Sequence, residues 1–215
     1  MQIGGNGQPG LILKRSARMG CCCSKSGHEE VIEMSVTTNI AVTLKIGQKG
    51  ENVVVVPTES GYTVTGRGIA LASCPLDCDV GMWEVKIGKQ PSGVRVGVMR
   101  FNTKKAAPSL GGLLGEGVEN WYFPDPSHGG KDLEEGDVVS LFWDQTDLPQ
   151  LSFAINGTLL PQASVSRVRP SSDVYPACSV EPGSSCELIF DGQHFNNPPS
   201  GSSKFKMVIC ATNLI

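Results

Sequence analysis

Gly81-Met-Trp-Glu-Val-Lys-Ile-Gly88, followed shortly by Val94-Arg-Val-Gly-Val-Met-Arg100, decides the fold class of this chain. In the first segment Trp83, Val85 and Ile87 alternate with Glu84 and Lys86, and in the second Val94, Val96 and Val98 alternate with Arg95 and Gly97. Successive side chains of a strand point to opposite faces. Each segment is therefore predicted to set one face on a core and the other toward solvent. Working outward, runs of the same kind recur at Ile40–Ile46, Val53–Val56, Tyr62–Val64, Val138–Trp143, Leu151–Ile155, Val174–Ser179, Cys186–Phe190 and Phe205–Cys210. They are rich in β-branched or aromatic residues and fenced by Gly, Pro, Asn, Asp or Ser. The 26 glycines and 14 prolines fall between the runs as turn punctuation. No stretch sustains helical periodicity long enough for a packed helix. Strands without crossover helices must pair antiparallel, and stacking two such sheets buries both apolar faces. The expectation is an all-β, antiparallel two-sheet β-sandwich. Asn156-Gly157 supplies the positive φ angles of a tight hairpin turn. The stretch from Asn102 to Leu133 has weak strand character and is expected to be loop-rich surface.

The chain has 215 residues, enough for one substantial domain and a tail. Residues 1–30 are Gly-rich, basic and without periodicity, and read as a flexible tail; residues 31–215 read as the sandwich. With 40% hydrophobic and 18% charged residues the composition is that of a folded, soluble protein. The net charge of −3 offers no general attraction to phosphate backbones, so nucleic acid is not expected as a partner. No run reaches the roughly 18 to 20 apolar residues of a spanning helix. Leu11, Ile12 and Leu13 are too short an apolar stretch for an export signal, which points to a cytoplasmic protein. In that compartment the eight cysteines are not a disulfide scaffold; Cys74, Cys78, Cys178, Cys186 and Cys210 read as reduced, mostly buried thiols.

Taken in order, GYTVTGRG (61–68), GMWEVKIG (81–88), VRVGVMR (94–100), LEEGDVVSLFWD (133–144), LSFAINGTLL (151–160), VYPACSV (174–180), CELIFDG (186–192) and FNNPP (195–199) resemble the SPRY domain. The resemblance covers about Val53 to Pro199, and its specificity lies in the ordered series rather than in any one piece. It implies a concanavalin-like bent sandwich, a role in protein recognition and no shared catalytic residues. It also implies a binding surface on loops at one edge, here the loop after Met99 and those around Trp121 and Asp144. The chain departs from the family between Asn102 and Lys131, where WYFPDPSHGGK replaces a shorter Gly-rich tryptophan segment, so the resemblance names no partner. Trp83 and Trp143 lie in strand-like runs and are expected in the core. Trp121 and Tyr122, read as loop aromatics, are the expected ligand anchors, and Arg100 can offer a charged hydrogen bond at the same surface.

The tail has a signature of its own. Met19-Gly20-Cys21-Cys22-Cys23-Ser24 fits the pattern in which a glycine exposed after methionine removal is myristoylated. One myristoyl chain anchors only marginally; palmitoyl thioesters on Cys21, Cys22 and Cys23 would supply the second signal. Gly20 is internal as written, so this requires translation from Met19. The expected function is a non-catalytic, monomeric protein- or peptide-binding adaptor, without cofactor or metal, tethered at a cytosolic membrane face. A carbohydrate-binding sandwich and an enzyme of unknown type are the alternatives. Cys74 and Cys78 lack a second ordered ligand pair for zinc, and no nucleophile context for a hydrolase is present.

Overall fold

The computed structural model describes residues 46–102, 109–117, 119–168 and 173–196. The tail over 1–30 with Gly20, Cys21, Cys22 and Cys23, all but the last residue of the run Ile40–Ile46, and the run Phe205–Cys210 lie outside the described residues. The strands among the described residues are β1 (Ile46–Lys49), β2 (Val53–Pro57), β3 (Tyr62–Gly66), β4 (Gly68–Ala72), β5 (Val80–Ile87), β6 (Val94–Arg100), β7 (Asn120–Phe123), β8 (Val138–Asp144), β9 (Gln150–Ile155), β10 (Thr158–Leu159), β11 (Val165–Ser166), β12 (Val174–Val180) and β13 (Ser185–Ile189). They form two sheets whose pairings are antiparallel, as expected. One has five strands in the order β1-β4-β12-β6-β7; the other has eight on the path β10-β9-β8-β5-β13-β3-β2, with β11 also on β9.

The alternation read from the sequence sets the inner faces. Trp83, Val85 and Ile87 of β5, Val139, Leu141 and Trp143 of β8, and Leu151, Phe153 and Ile155 of β9 face Val94, Val96 and Val98 of β6 and Val174, Cys178 and Val180 of β12 in one buried cluster. Full burial of each large side chain contributes about 1.5 to 3 kcal/mol before the entropy of ordering it is subtracted. Trp83 and Trp143 are wholly buried, as expected, and the Trp143 indole donates to the Cys78 carbonyl at 3.1 Å. Asn156 (φ 49°) and Gly157 (φ 78°) make the predicted tight turn between β9 and β10.

The second faces differ from the expectation. Glu84, predicted to face water, is fully buried. Its carboxylate accepts from Ser140 Oγ (3.1 Å) and from the Asn196 backbone N–H (2.6 Å), while Met82, Phe142 and Ala154 beside it are covered in part by Phe195. On the other sheet Leu110 and Leu114 fold over Ile69, Leu71, Met99 and Ala177. Segments far along the chain thus give each sheet a second covered patch, and strand periodicity does not report that. The same covering explains β4, a strand absent from the sequence reading: all five of its residues are buried, so Gly-Ile-Ala-Leu-Ala shows no alternation.

The cysteines divide. Cys178 and Cys186 are free and buried and Cys78 is free and half-buried, in line with the reading. Cys74, expected as a reduced thiol, is disulfide-bonded, and its partner lies outside the described residues. The expectation rested on chain length and on the compartment read from the sequence, and neither shows which thiols a fold brings together.

Candidate protein-recognition surface

Strand β7 lies inside the stretch expected to be loop and forms one edge of the five-stranded sheet. It is short and reads Asn-Trp-Tyr-Phe, without alternation, so its strand state comes from pairing with β6. Phe123 anchors it: the ring is buried, pairs with Val96 and lies 5.5 Å from the Phe153 ring of the opposite sheet. Gly97 permits the close approach, since a Cβ there would sit 2.0 Å from the Trp121 carbonyl oxygen. With Phe123 pointing inward, the pleat turns Trp121 to the same side and Tyr122 to the other.

Each aromatic meets an arginine. The Arg100 guanidinium lies 5.8 Å from the Trp121 ring centre, and the Arg95 guanidinium 5.4 Å from that of Tyr122. Arg100 is engaged by two carboxylates, Glu119 through Nη1 and Asp173 through Nε at 3.2 Å. These contacts tie the starts of β7 and β12 to the end of β6, where the Arg100 N–H donates to the Glu119 carbonyl (3.0 Å) and that of Phe101 to the Asp173 carbonyl (2.7 Å). Arg95 donates to the Leu114 carbonyl, in the segment that covers the sheet's outer face. That segment is itself fastened, the Leu114 N–H donating to Ser179 Oγ (3.1 Å) and the Ile69 N–H to the Leu110 carbonyl (2.8 Å).

Beside Tyr122 opens a cleft of about 340 Å³, in the range of small ligand pockets, with Arg95, Pro91, Pro124, Pro126, Asp132 and Leu133 among its walls. The structure therefore brings Arg100 and Trp121 together and places Tyr122 next to them in sequence on the opposite face. Asp144 is on the other sheet, at the end of β8, where its carboxylate accepts from the Thr146 N–H (3.1 Å) and hydroxyl (2.7 Å). Arg95 escaped the sequence reading. Alternation placed it opposite the core, but Tyr122 and Leu114 come to it only through the β6–β7 pairing and the folded-over segment.

A Ser–His–Asp group does occur, in the 3-10 turn Pro126–His128 next to the cleft. His128 Nδ1 meets both Asp125 Oδ2 (2.8 Å) and Ser127 Oγ (3.0 Å), and Ser127 Oγ also donates to Asp125 Oδ1 (2.7 Å). A hydrolytic triad needs the carboxylate on one ring nitrogen and the hydroxyl on the other. Here both share Nδ1, so the arrangement is a turn cap. Burial alone would raise the Asp125 pKa, but hydrogen bonds from Ser127 and His128 outweigh it and hold the carboxyl below its ordinary range. Among the described residues no three metal-ligating side chains converge.

No curated protein matches the sequence. Among solved structures, a human SPRY domain aligns at 18% identity over 63% of this chain and 94% of its own, with a TM-score of 0.48. The SPRY domain of human HERC1 aligns at 18% identity over 68% and 99%, with a TM-score of 0.49. The TRIM65 PSpry domain aligns at 12% identity over 69% and 90%, with a TM-score of 0.50, a likeness of fold alone. The SPRY domain family matches residues 80–193 directly, a span holding β5 to β13 and with them Arg95, Arg100, Trp121, Tyr122 and the walls of the cleft. Because that match takes in more than half of the sequence, the chain belongs to the SPRY domain family.

Proposed function

We propose that this chain is a non-catalytic adaptor that recognises a protein or peptide along strand β7. SPRY domains are in general protein-interaction modules. The observation that carries the reading is the edge strand itself, which presents Trp121 and Tyr122 to opposite sides, each under an arginine, with a cleft beside Tyr122. Trp, Tyr and Arg are the side chains that contribute most at protein interfaces; the aromatics bury large area at small entropic cost, and these two arginines are already held by their partners. Arg100, held by Glu119 and Asp173, positions Trp121. Asp144 is assigned to the same recognition end only through the family resemblance.

Affinity capture from native cells tests the reading, using the full chain, Trp121→Ala, Tyr122→Ala and a Lys86→Ala control on the other sheet. A set of proteins held by the parent and Lys86→Ala and lost from a folded Trp121→Ala or Tyr122→Ala is the expected result. A set that ignores both aromatic substitutions overturns it.

The adaptor is further proposed to be tethered at a membrane by myristate on Gly20 and palmitate on Cys21, Cys22 and Cys23, supported by the Met-Gly-Cys-Cys-Cys-Ser pattern and the one-chain-is-not-enough arithmetic of lipid anchors. Mass spectrometry of the native protein's N-terminal peptide decides this. An acylated Gly20 is expected, and an unmodified peptide running from Met1 through Cys23 refutes it.

A further inference from the structure

We propose that the cleft beside Tyr122 is a receptor for a carboxylate carried on an extended partner peptide, with Arg95 as the anion-binding residue and an apolar neighbour of the acid seated against Tyr122 and the prolines. The proposal rests on the recognition reading above and gives its ligand chemistry.

The two arginines of the surface are in different electrostatic states. Arg100 carries two carboxylates, whereas Arg95, also half-buried, has no carboxylate within ion-pair distance among the described residues. A cation withdrawn from water without a counter-charge is costly, and a ligand carboxylate arriving there offsets the cost. The Arg95 side chain is also held in place before any ligand binds, by the Tyr122 ring on one face and the Leu114 carbonyl on one donor. A guanidinium has five N–H donors in a fixed plane, so others remain for a carboxylate. Preorganisation of this kind removes part of the ordering cost of binding.

The walls complete the assignment. Pro91, Pro124 and Pro126 are rigid and apolar, and with Tyr122 and Leu133 they leave about 340 Å³, room for one or two side chains. The acidic residue in the cleft wall is Asp132, which is exposed and therefore screened by solvent, and the Asp125 carboxylate in the adjoining turn is occupied by Ser127 and His128, while Arg95 is half-buried and less screened. A ligand that is acidic at one position and apolar at the next satisfies both features.

The test pans a phage-displayed random peptide library on the full chain and then measures the selected peptide by fluorescence anisotropy against the parent, Arg95→Gln and Asp132→Asn. The expected peptides share an Asp or Glu beside an apolar residue. Arg95→Gln, or amidation of that acid, should weaken binding about tenfold or more, the range of a charge-assisted hydrogen bond. Asp132→Asn should tighten it about twofold, as loss of one screened repulsion would, and a gain of affinity cannot arise from misfolding. Peptides that lack an acid, or that bind Arg95→Gln as well as the parent, overturn the carboxylate receptor; if their binding still falls on Trp121→Ala, the recognition surface stands. Binding indifferent to Arg95, Trp121 and Tyr122 alike overturns both readings. A library that yields no binder overturns the peptide receptor, and the capture comparison judges the recognition surface separately.

Discussion

Trp121 and Tyr122 are adjacent in the chain and lie on opposite faces of strand β7, so each rests under a different arginine, Arg100 for the first and Arg95 for the second. The surface therefore has two halves that share one strand. Anything that moves β7 moves both.

Gly97 holds that strand at its distance. A Cβ added there would meet the Trp121 carbonyl oxygen at 2.0 Å and the Tyr122 Cα at 2.7 Å, both backbone atoms that cannot swing aside. Gly97→Ala is expected to destabilise the fold by about 1 to 3 kcal/mol, as overpacking does, and to abolish partner capture together with peptide binding. Urea unfolding followed by tryptophan fluorescence measures the first effect; an unchanged midpoint would show that β7 does not sit as described.

The cap at Asp125 gives a pH dependence. Its carboxyl is held below the ordinary aspartate range by hydrogen bonds that overcome the opposing effect of burial. A depressed folded-state pKa contributes stability that is complete above the unfolded value and disappears as pH falls through the folded one. The difference in urea midpoint between the parent and Asp125→Asn should therefore be present at neutral pH and vanish in strong acid. A difference that grows on acidification would reverse the sign and refute the assignment.

Glu84 secures the end of the described fold. It is buried and accepts from Ser140 Oγ and from the Asn196 backbone N–H across the outer face of β5. Glu84→Ala removes both of these hydrogen bonds and is expected to cost about 1 to 3 kcal/mol. Hydrogen exchange at Asn196 should accelerate more than exchange in β8 and β9. Equal acceleration everywhere would mean that Glu84 supports the whole sandwich and not this segment.

The free thiols should differ in reactivity. A hydrogen bond with Cys186 and complete burial push the Cys178 thiol well above its usual pKa; burial, with help from Asp77 and Asp79, also pushes Cys78 up. Because the thiolate is the reacting species, native protein treated with iodoacetamide at neutral pH should leave Cys178 unmodified and label Cys78 slowly. Rapid labelling of Cys178 in the folded protein would contradict its placement between the sheets.

The sequence by itself determined the class of fold, the two-sheet core and the hairpin at Asn156-Gly157, because alternation at period two and turn residues with positive φ are local properties that neighbours in the chain specify. The core tryptophans, Trp83 and Trp143, were legible for the same reason. Only the tertiary structure decided that Asn120 to Phe123 is a strand, since four residues without alternation become one by pairing with β6 across Gly97. It alone decided that Glu84 is buried and that β4 is covered on both faces, because the covering residues, Phe195, Leu110 and Leu114, come from far along the chain. Arg100 was legible as a charge after a strand, but its occupation by Glu119 and Asp173 was not; Arg95 read as an ordinary solvent-facing residue until the fold set Tyr122 beneath it and left it without a carboxylate among the described residues. Charge and spacing along a chain state which groups are present, whereas compensation of a charge depends on what the fold carries to within a few ångströms of it.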